Sequence, residues 1–306
     1  MRLPICGIAI IWNKEDTMIL VTGASGNVGG AVLRELLQVG APVRSMYRSP
    51  AEVAKAPAGA NPVIADFADR ASLDRALDGV ESVFLVCAPI PQLVELESNM
   101  VVACRAQRIR HVVQNSALGA GTYDKSFPSW HYLVEQRLQA SGVPATIFRP
   151  ETFMQNIPTY YGGTIKSDLA FYAAERNAPI AFIDVRDVAA VGARLLTSDE
   201  HIGKTYTLTG PEALTYAQVA EKLSKLLGTA IRYVDLTPQQ MKQALLQAGM
   251  PQWQADALVD LQDYYTEGPG ARVTDDVQQI LGRPPIYFDQ FLQDYAASFG
   301  VKSAVA

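Results

Sequence analysis

The apolar run Met18-Ile19-Leu20-Val21 leads straight into Thr22-Gly23-Ala24-Ser25-Gly26-Asn27-Val28-Gly29, and an amphipathic stretch starts at once behind it. No other segment limits the fold so tightly. A buried strand has to end at Thr22. A helix has to begin by Asn27, because Val28, Val32, Leu33, Leu36 and Leu37 recur at helical spacing until Gly40 stops them. Glycines between a strand and a helix let the backbone turn tightly and approach a pyrophosphate, while the helix N-terminus offers free N–H groups and partial positive charge. Gly23, Ser25, Gly26, Asn27, Val28 and Gly29 are therefore the expected dinucleotide loop. A tight turn that binds nothing explains one glycine and leaves the others without a purpose.

The rhythm then repeats. Short apolar runs at 42–47, 61–64, 82–87, 111–115 and 145–148 alternate with helical stretches at 71–77, 93–107 and 129–141, the last with a Ser129 cap and a stop at Gly142. Such alternation builds a parallel sheet covered by helices on both faces, because the crossovers are right-handed. The expected fold is α/β, a Rossmann-like doubly wound parallel sheet with a small C-terminal α/β lobe. After Arg149-Pro150 the rhythm loosens and Pro158, Tyr160, Tyr161, Gly162 and Gly163 crowd together. Strands are expected at 178–183, 205–208 and 231–234. Helices are expected from Asp184, over 216–227 behind Thr215, and over 238–248 and 252–265. The organisation read from this is an extension at 1–17, an NAD(P)-binding core at 18–155, and a smaller substrate lobe at 156–306 that also completes the core.

The 306-residue chain has a formal net charge of −5 and no run of Lys or Arg, which argues against a nucleic-acid partner. Its 49% hydrophobic content suffices for a large core. Cys6, Cys87 and Cys104 lack CxxC spacing, and His111, His131 and His201 lie far apart. Neither a disulfide frame nor a metal site is expected, and a reducing, cytoplasmic setting is. Residues 3–12 are apolar but too short to span a bilayer, and no small-residue cleavage site follows. They read as a non-essential extension, with an edge strand or partner-binding segment as the alternative. No membrane partner is expected, and the oligomeric state stays open, with a homo-oligomer allowed.

Cofactor choice is set where the second strand ends. A site for NADH usually places Asp or Glu there to hold the ribose 2′-hydroxyl. Residues 43–49 contain no carboxylate, and Arg48 stands at the strand's carboxyl end. A guanidinium can hold a 2′-phosphate by forked hydrogen bonds, so NADPH is expected over NADH; a solvated surface arginine is the plain alternative. Asp66, after the third strand, is placed to meet the adenine edge, and Ala88-Pro89, after the fourth, to flank the ribose.

Several motifs together carry a family resemblance: Val21-Thr22-Gly23-Ala24-Ser25-Gly26, Asn115-Ser116-Ala117, Ile147-Phe148-Arg149-Pro150, Phe153-Met154-Gln155-Asn156 and Ile183-Asp184-Val185-Arg186-Asp187-Val188-Ala189. Leu208-Thr209-Gly210-Pro211 and Val273-Thr274-Asp275-Asp276 fit too. From about Met18 to Phe299 the chain resembles atypical short-chain dehydrogenases of the NmrA-like group, and is most similar to the NAD(P)H:quinone oxidoreductase type 2 branch. Short-chain dehydrogenases of the usual pattern place a serine after the fifth strand and Tyr-x-x-x-Lys on the next helix. Ser116 fits the serine place. The helix reads Ser129-Trp130-His131-Tyr132-Leu133-Val134-Glu135-Gln136, and neither register offers the lysine.

Three functions follow, the third of them reduction or isomerisation of some other small metabolite on the same scaffold. In the first, NADPH passes hydride directly to a quinone or similar small electrophile, with Ser116 and His131 at the reacting end; His131 supplies a proton or hydrogen bond and Glu135, one turn on, orients it. The same pair also suits a stabilising contact on a helix surface, and Ser116 suits an ordinary strand end. In the second, the chain is a non-catalytic redox sensor that changes partner binding with the bound nucleotide. Phe153, Met154, Asn156, Tyr160 and Tyr161 are the expected substrate walls, since aromatic and Met side chains suit a flat apolar molecule; they equally suit lobe packing.

Overall fold

A computed structural model describes residues 17–301. The extension assigned to 1–17 lies outside these residues but for Thr17. Seven strands form one parallel sheet in the order β3-β2-β1-β4-β5-β6-β8. They are β1 (Met18–Val21), β2 (Val43–Tyr47), β3 (Pro62–Ile64), β4 (Val80–Leu85), β5 (His111–Asn115), β6 (Ala145–Pro150) and β8 (Thr205–Leu208). The strand between the last two, β7 (Ala170–Ala173), pairs in parallel with β9 (Arg232–Asp235) as a separate ribbon.

Helices α1 (Asn27–Gln38), α2 (Pro50–Val53), α3 (Arg70–Ala76), α4 (Leu93–Ala106) and α5 (Ser126–Ser141) follow the first five strands. The rest of the chain adds α6 (Gly162–Asp168), α7 (Val185–Leu196), α8 (Tyr216–Leu227), α9 (Pro238–Gln247), α10 (Gln252–Thr266), α11 (Asp276–Leu281) and α12 (Phe288–Asp294). The period-3.6 pattern of α1 buries Val28, Val32, Leu33 and Leu36 against the sheet, where they join Val188, Val191 and Leu195 of α7. The opposite face packs Leu73, Met100, Val101, Cys104 and Leu138 of α3, α4 and α5. Truncating a side chain as enclosed as Leu36 costs about 2–5 kcal/mol. A third apolar cluster, around Phe171, Phe182, Tyr216, Phe288 and Phe291, is the core of the lobe.

The motif at residues 183–189 is an anchor. Asp184 caps α7, accepting from the Arg186 N–H at 2.8 Å, and it also takes the Gln155 amide at 2.8 Å. Asp187, fully buried, accepts from Arg283 and from the Ile286 N–H, each at 2.6 Å. The lobe's C-terminal segment is thereby tied to a helix of the sheet.

Three local expectations change. Residues 178–183 form no strand: Ile183 bridges Phe153 and Ile180 bridges Leu214. Pro179 has no N–H to give a ladder, and Ala181 donates to Gly270 instead. The ribbon strand at 170–173 was not anticipated, being four residues long without alternation. Helix α5 starts at Ser126 rather than behind Ser129, whose hydroxyl donates to the Ser126 carbonyl at 2.8 Å inside the first turn.

Candidate active site

The carboxyl ends of β1, β2, β4, β5 and β6 open into one cleft of about 730 Å³. This is where ligands bind in open parallel sheets. At one end stands the glycine loop. Gly23 has φ +57°, and a Cβ there would stand 2.8 Å from Val86 Cγ1. A Cβ on Gly29 would lie 2.3 Å from the Gly23 carbonyl oxygen. The glycines thus keep the loop flat against the start of α1. Thr22 fixes its base, its hydroxyl accepting from the Val86 N–H at 2.9 Å.

Gly26 is the N-cap of α1, with no side-chain capping bond and no acidic residue in the first turn. The helix ladder begins with the bond from Gly30 to Gly26. The N–H groups of Asn27, Val28 and Gly29 therefore have no partner within the helix. Together with the positive end of the helix dipole they form a site for a diphosphate. The residues present fit a dinucleotide.

Next to the loop stands Arg48, with Glu52 beside it. One Glu52 oxygen accepts from the Arg48 N–H at 2.9 Å and the other from the Ser25 hydroxyl at 3.2 Å. These bonds, the Arg48 amide foremost, hold the Glu52 carboxyl below its ordinary range. Sequence reasoning missed Glu52 because it looked for a carboxylate on β2, whereas this one comes from α2. Asp66 and, across the cleft, Ala88 and Pro89 continue the wall. Asp66 accepts from the Ala68 N–H at 2.8 Å, which turns the chain into α3.

The far end is built by β5, α5 and the segment after β6. Ser116, His131, Phe153, Asn156 and Tyr160 line it, together with Asn115, Glu151, Thr152 and Tyr265. Tyr160 is 61% exposed and stands at the mouth. His131 is buried, its Nδ1 meets no partner among the described residues, and burial pushes its ring down to about 4. It is therefore neutral at neutral pH and can offer a hydrogen bond but not an acidic proton.

Three expected residues leave the cleft. Glu135 does not orient His131. Its carboxylate faces the sheet, where Arg149 donates from Nε at 2.9 Å and from Nη2 at 2.5 Å, and Ser116 donates from Oγ at 2.5 Å. Spacing of four along a helix allowed a pair with His131; a guanidinium fork on β6 outcompetes it. Met154 is fully buried in the lobe core rather than on the wall, and Tyr161 packs beside it against Phe171. Glu151 and Tyr265 are additions that sequence reasoning missed. Glu151 adjoins the motif at 147–150, which was a usable signal; Tyr265, on α10, gave none.

The family model described as the NmrA-like family matches residues 15–277. An NAD(P)H azoreductase of Xenophilus azovorans is 34% identical over 286 residues, covering 92% of this chain and 99% of that one. A (4-alkanoyl-5-oxo-2,5-dihydrofuran-3-yl)methyl phosphate reductase of Streptomyces griseus is 36% identical over 284 residues, covering 92% and 99%. Among solved structures, an NADPH-dependent quinone oxidoreductase of Escherichia coli, complexed with NADPH, superposes with a TM-score of 0.85 at 27% identity, over 91% of this chain and 100% of that one.

Proposed function

The chain belongs to the NmrA-like family, and from that premise we propose that it is a cytoplasmic NADPH-dependent reductase that passes hydride to a quinone or a similar small electrophile. One observation carries the proposal: the unpartnered helix N-terminus and an aromatic-walled recess share a single cleft. A dinucleotide long enough to rest its diphosphate on α1 reaches from Arg48 to the recess. Its reduced nicotinamide, when bound, supplies the hydride.

The chain's own residues then do three things. The amides of Asn27, Val28 and Gly29 hold the diphosphate, and Arg48 with Ser25 meets the 2′-phosphate. Phe153, Asn156 and Tyr160 flank the acceptor and limit water around it. His131, neutral and buried, offers a hydrogen bond to the acceptor's oxygen. A quinone accepts hydride more readily than a ketone does, so the missing Tyr-x-x-x-Lys relay is less needed. The relatives support the reading, since those named for an activity include an NAD(P)H azoreductase, a (4-alkanoyl-5-oxo-2,5-dihydrofuran-3-yl)methyl phosphate reductase and a quinone oxidoreductase.

A second reading, a redox sensor without turnover, is favoured by the absence of lysine from α5. A quinone panel with NADPH separates the two by loss of nicotinamide absorbance. Turnover supports the reductase; tight, redox-selective nucleotide binding without turnover supports the sensor.

A further inference from the structure

A quinone that has gained a hydride is a hydroquinone monoanion, reduced by two electrons and short of one proton. An acid in the cleft can provide it before the product leaves. His131 is neutral and holds its remaining proton through the neutral range. The Ser116 hydroxyl is committed to Glu135. The Cys87 thiol is pushed up to about 12 by burial. Tyr265, buried, has its hydroxyl raised well above the ordinary tyrosine range, first by burial and then by the charge of Glu151.

Glu151 differs from all of these. It is the first residue after β6, lines the recess, and is 2% exposed. One oxygen is fixed, with Oε1 accepting from the Thr152 N–H at 2.8 Å. Oε2 is buried and meets no partner among the described residues. Gly270 covers it closely: a Cβ there would stand 2.7 Å from Tyr265 Cδ1 and 3.5 Å from Glu151 Oε2. The Tyr265 hydroxyl, beside the carboxyl, shares a 2.6 Å hydrogen bond with Thr152 Oγ1. A buried carboxyl oxygen that no donor fully satisfies is expensive to leave as an anion and comfortable as an acid.

We propose that Glu151 is the proton donor of the reduction, acting directly from Oε2 or through the Tyr265 hydroxyl next to it. This rests on the reductase reading of the cleft. As the phenolate oxygen of the reduced acceptor takes the proton, its O–H bond forms and the carboxyl O–H bond breaks. The neutral hydroquinone leaves, and the Glu151 carboxylate recovers a proton from water at the mouth. The groups facing Glu151 are Thr152 on its own segment and Tyr265 and Tyr264 of α10, none of them charged near neutral pH. Burial pushes the carboxyl up to about 7, where an acid gives and regains a proton readily.

The test compares the wild type with Glu151→Gln and Glu151→Asp. In the wild type kcat/KM for a quinone falls as pH rises through about 7. In Glu151→Gln that limb disappears, and the rate below it drops by about 100-fold. Glu151→Asp keeps the limb at a reduced rate. Melting temperature and NADPH affinity stay at wild-type values. Difference infrared spectroscopy of the chain without substrate, taken against Glu151→Gln, gives a readout independent of turnover: a protonated carboxyl band that titrates near neutrality. A carboxyl ionised well below neutral pH, or a Glu151→Gln variant with the limb and rate intact, overturns the proposal alone. A wild type that turns over no acceptor overturns the reductase reading and this proposal with it.

Discussion

Glu135 of α5 is clamped by Arg149 of β6 through two parallel hydrogen bonds, from Nε at 2.9 Å and from Nη2 at 2.5 Å. The carboxylate is 1% exposed and the arginine 26%. Glu135 also accepts from Ser116, so the pair fixes the serine that closes β5 at the edge of the cleft.

Arg149→Met leaves a buried carboxylate without its cation, and should lower stability by about 3–5 kcal/mol in urea unfolding. Arg149→Lys should recover only part of this, because an ammonium cannot reproduce the fork. Full recovery by lysine would show that charge alone, and not bidentate geometry, holds the pair.

Arg48 and Glu52 should act on cofactor choice in opposite directions. Arg48→Ala should weaken NADPH binding by about 1.5–3 kcal/mol, the worth of charge-assisted hydrogen bonds, and leave NADH nearly unchanged. Glu52→Gln removes a negative charge from the place where a 2′-phosphate would sit, and should tighten NADPH relative to NADH by up to about tenfold. Fluorescence titrations with both nucleotides give the two ratios. Equal effects on NADPH and NADH in both variants would remove these residues from cofactor selection.

Glu97 of α4 is fully buried, neither of its oxygens meets a partner at full hydrogen-bond geometry among the described residues, and burial pushes it up to about 8. Its pKa is raised on folding, so between its ordinary value and about 8 the folded chain binds the proton and the unfolded chain does not. Stability contributed by the neutral acid is therefore lost as pH rises through that range. His131 works the other way below about 6.5, its unfolded value, and has no effect above it. From pH 6.5 to 8 the wild type should lose about 2 kcal/mol that Glu97→Gln retains. Parallel stability profiles for the two chains would place the Glu97 proton elsewhere.

The parts of the molecule legible in the sequence are those that depend on neighbours along the chain. The strand before Gly23, the period of α1, the Thr215 cap of α8 and the lack of lysine on α5 are all local facts, and the structure keeps them. The fold class follows from their alternation. The Glu135–Arg149 fork joins a helix to a strand fourteen residues on, and nothing in a spacing rule ranks it above His131. Glu52 and Tyr265 reach the cleft only because α2 and α10 fold onto it. Residues 178–183 read as a strand by composition, but their partners lie on separate loops. Local pattern found the glycine-loop end of the cleft; long-range packing decided the other end.

A reductase of the proposed kind needs backbone amides at the start of α1 to hold a diphosphate. Isothermal titration of NADPH into the purified chain, beside Gly29→Ala, tests this most directly. The added Cβ would collide with the Gly23 carbonyl at 2.3 Å and spoil the loop. Saturable one-to-one binding in the wild type, weakened at least about tenfold (~1.4 kcal/mol) in Gly29→Ala, is the predicted result. A wild-type chain that takes up neither NADPH nor NADH at millimolar concentration would contradict it.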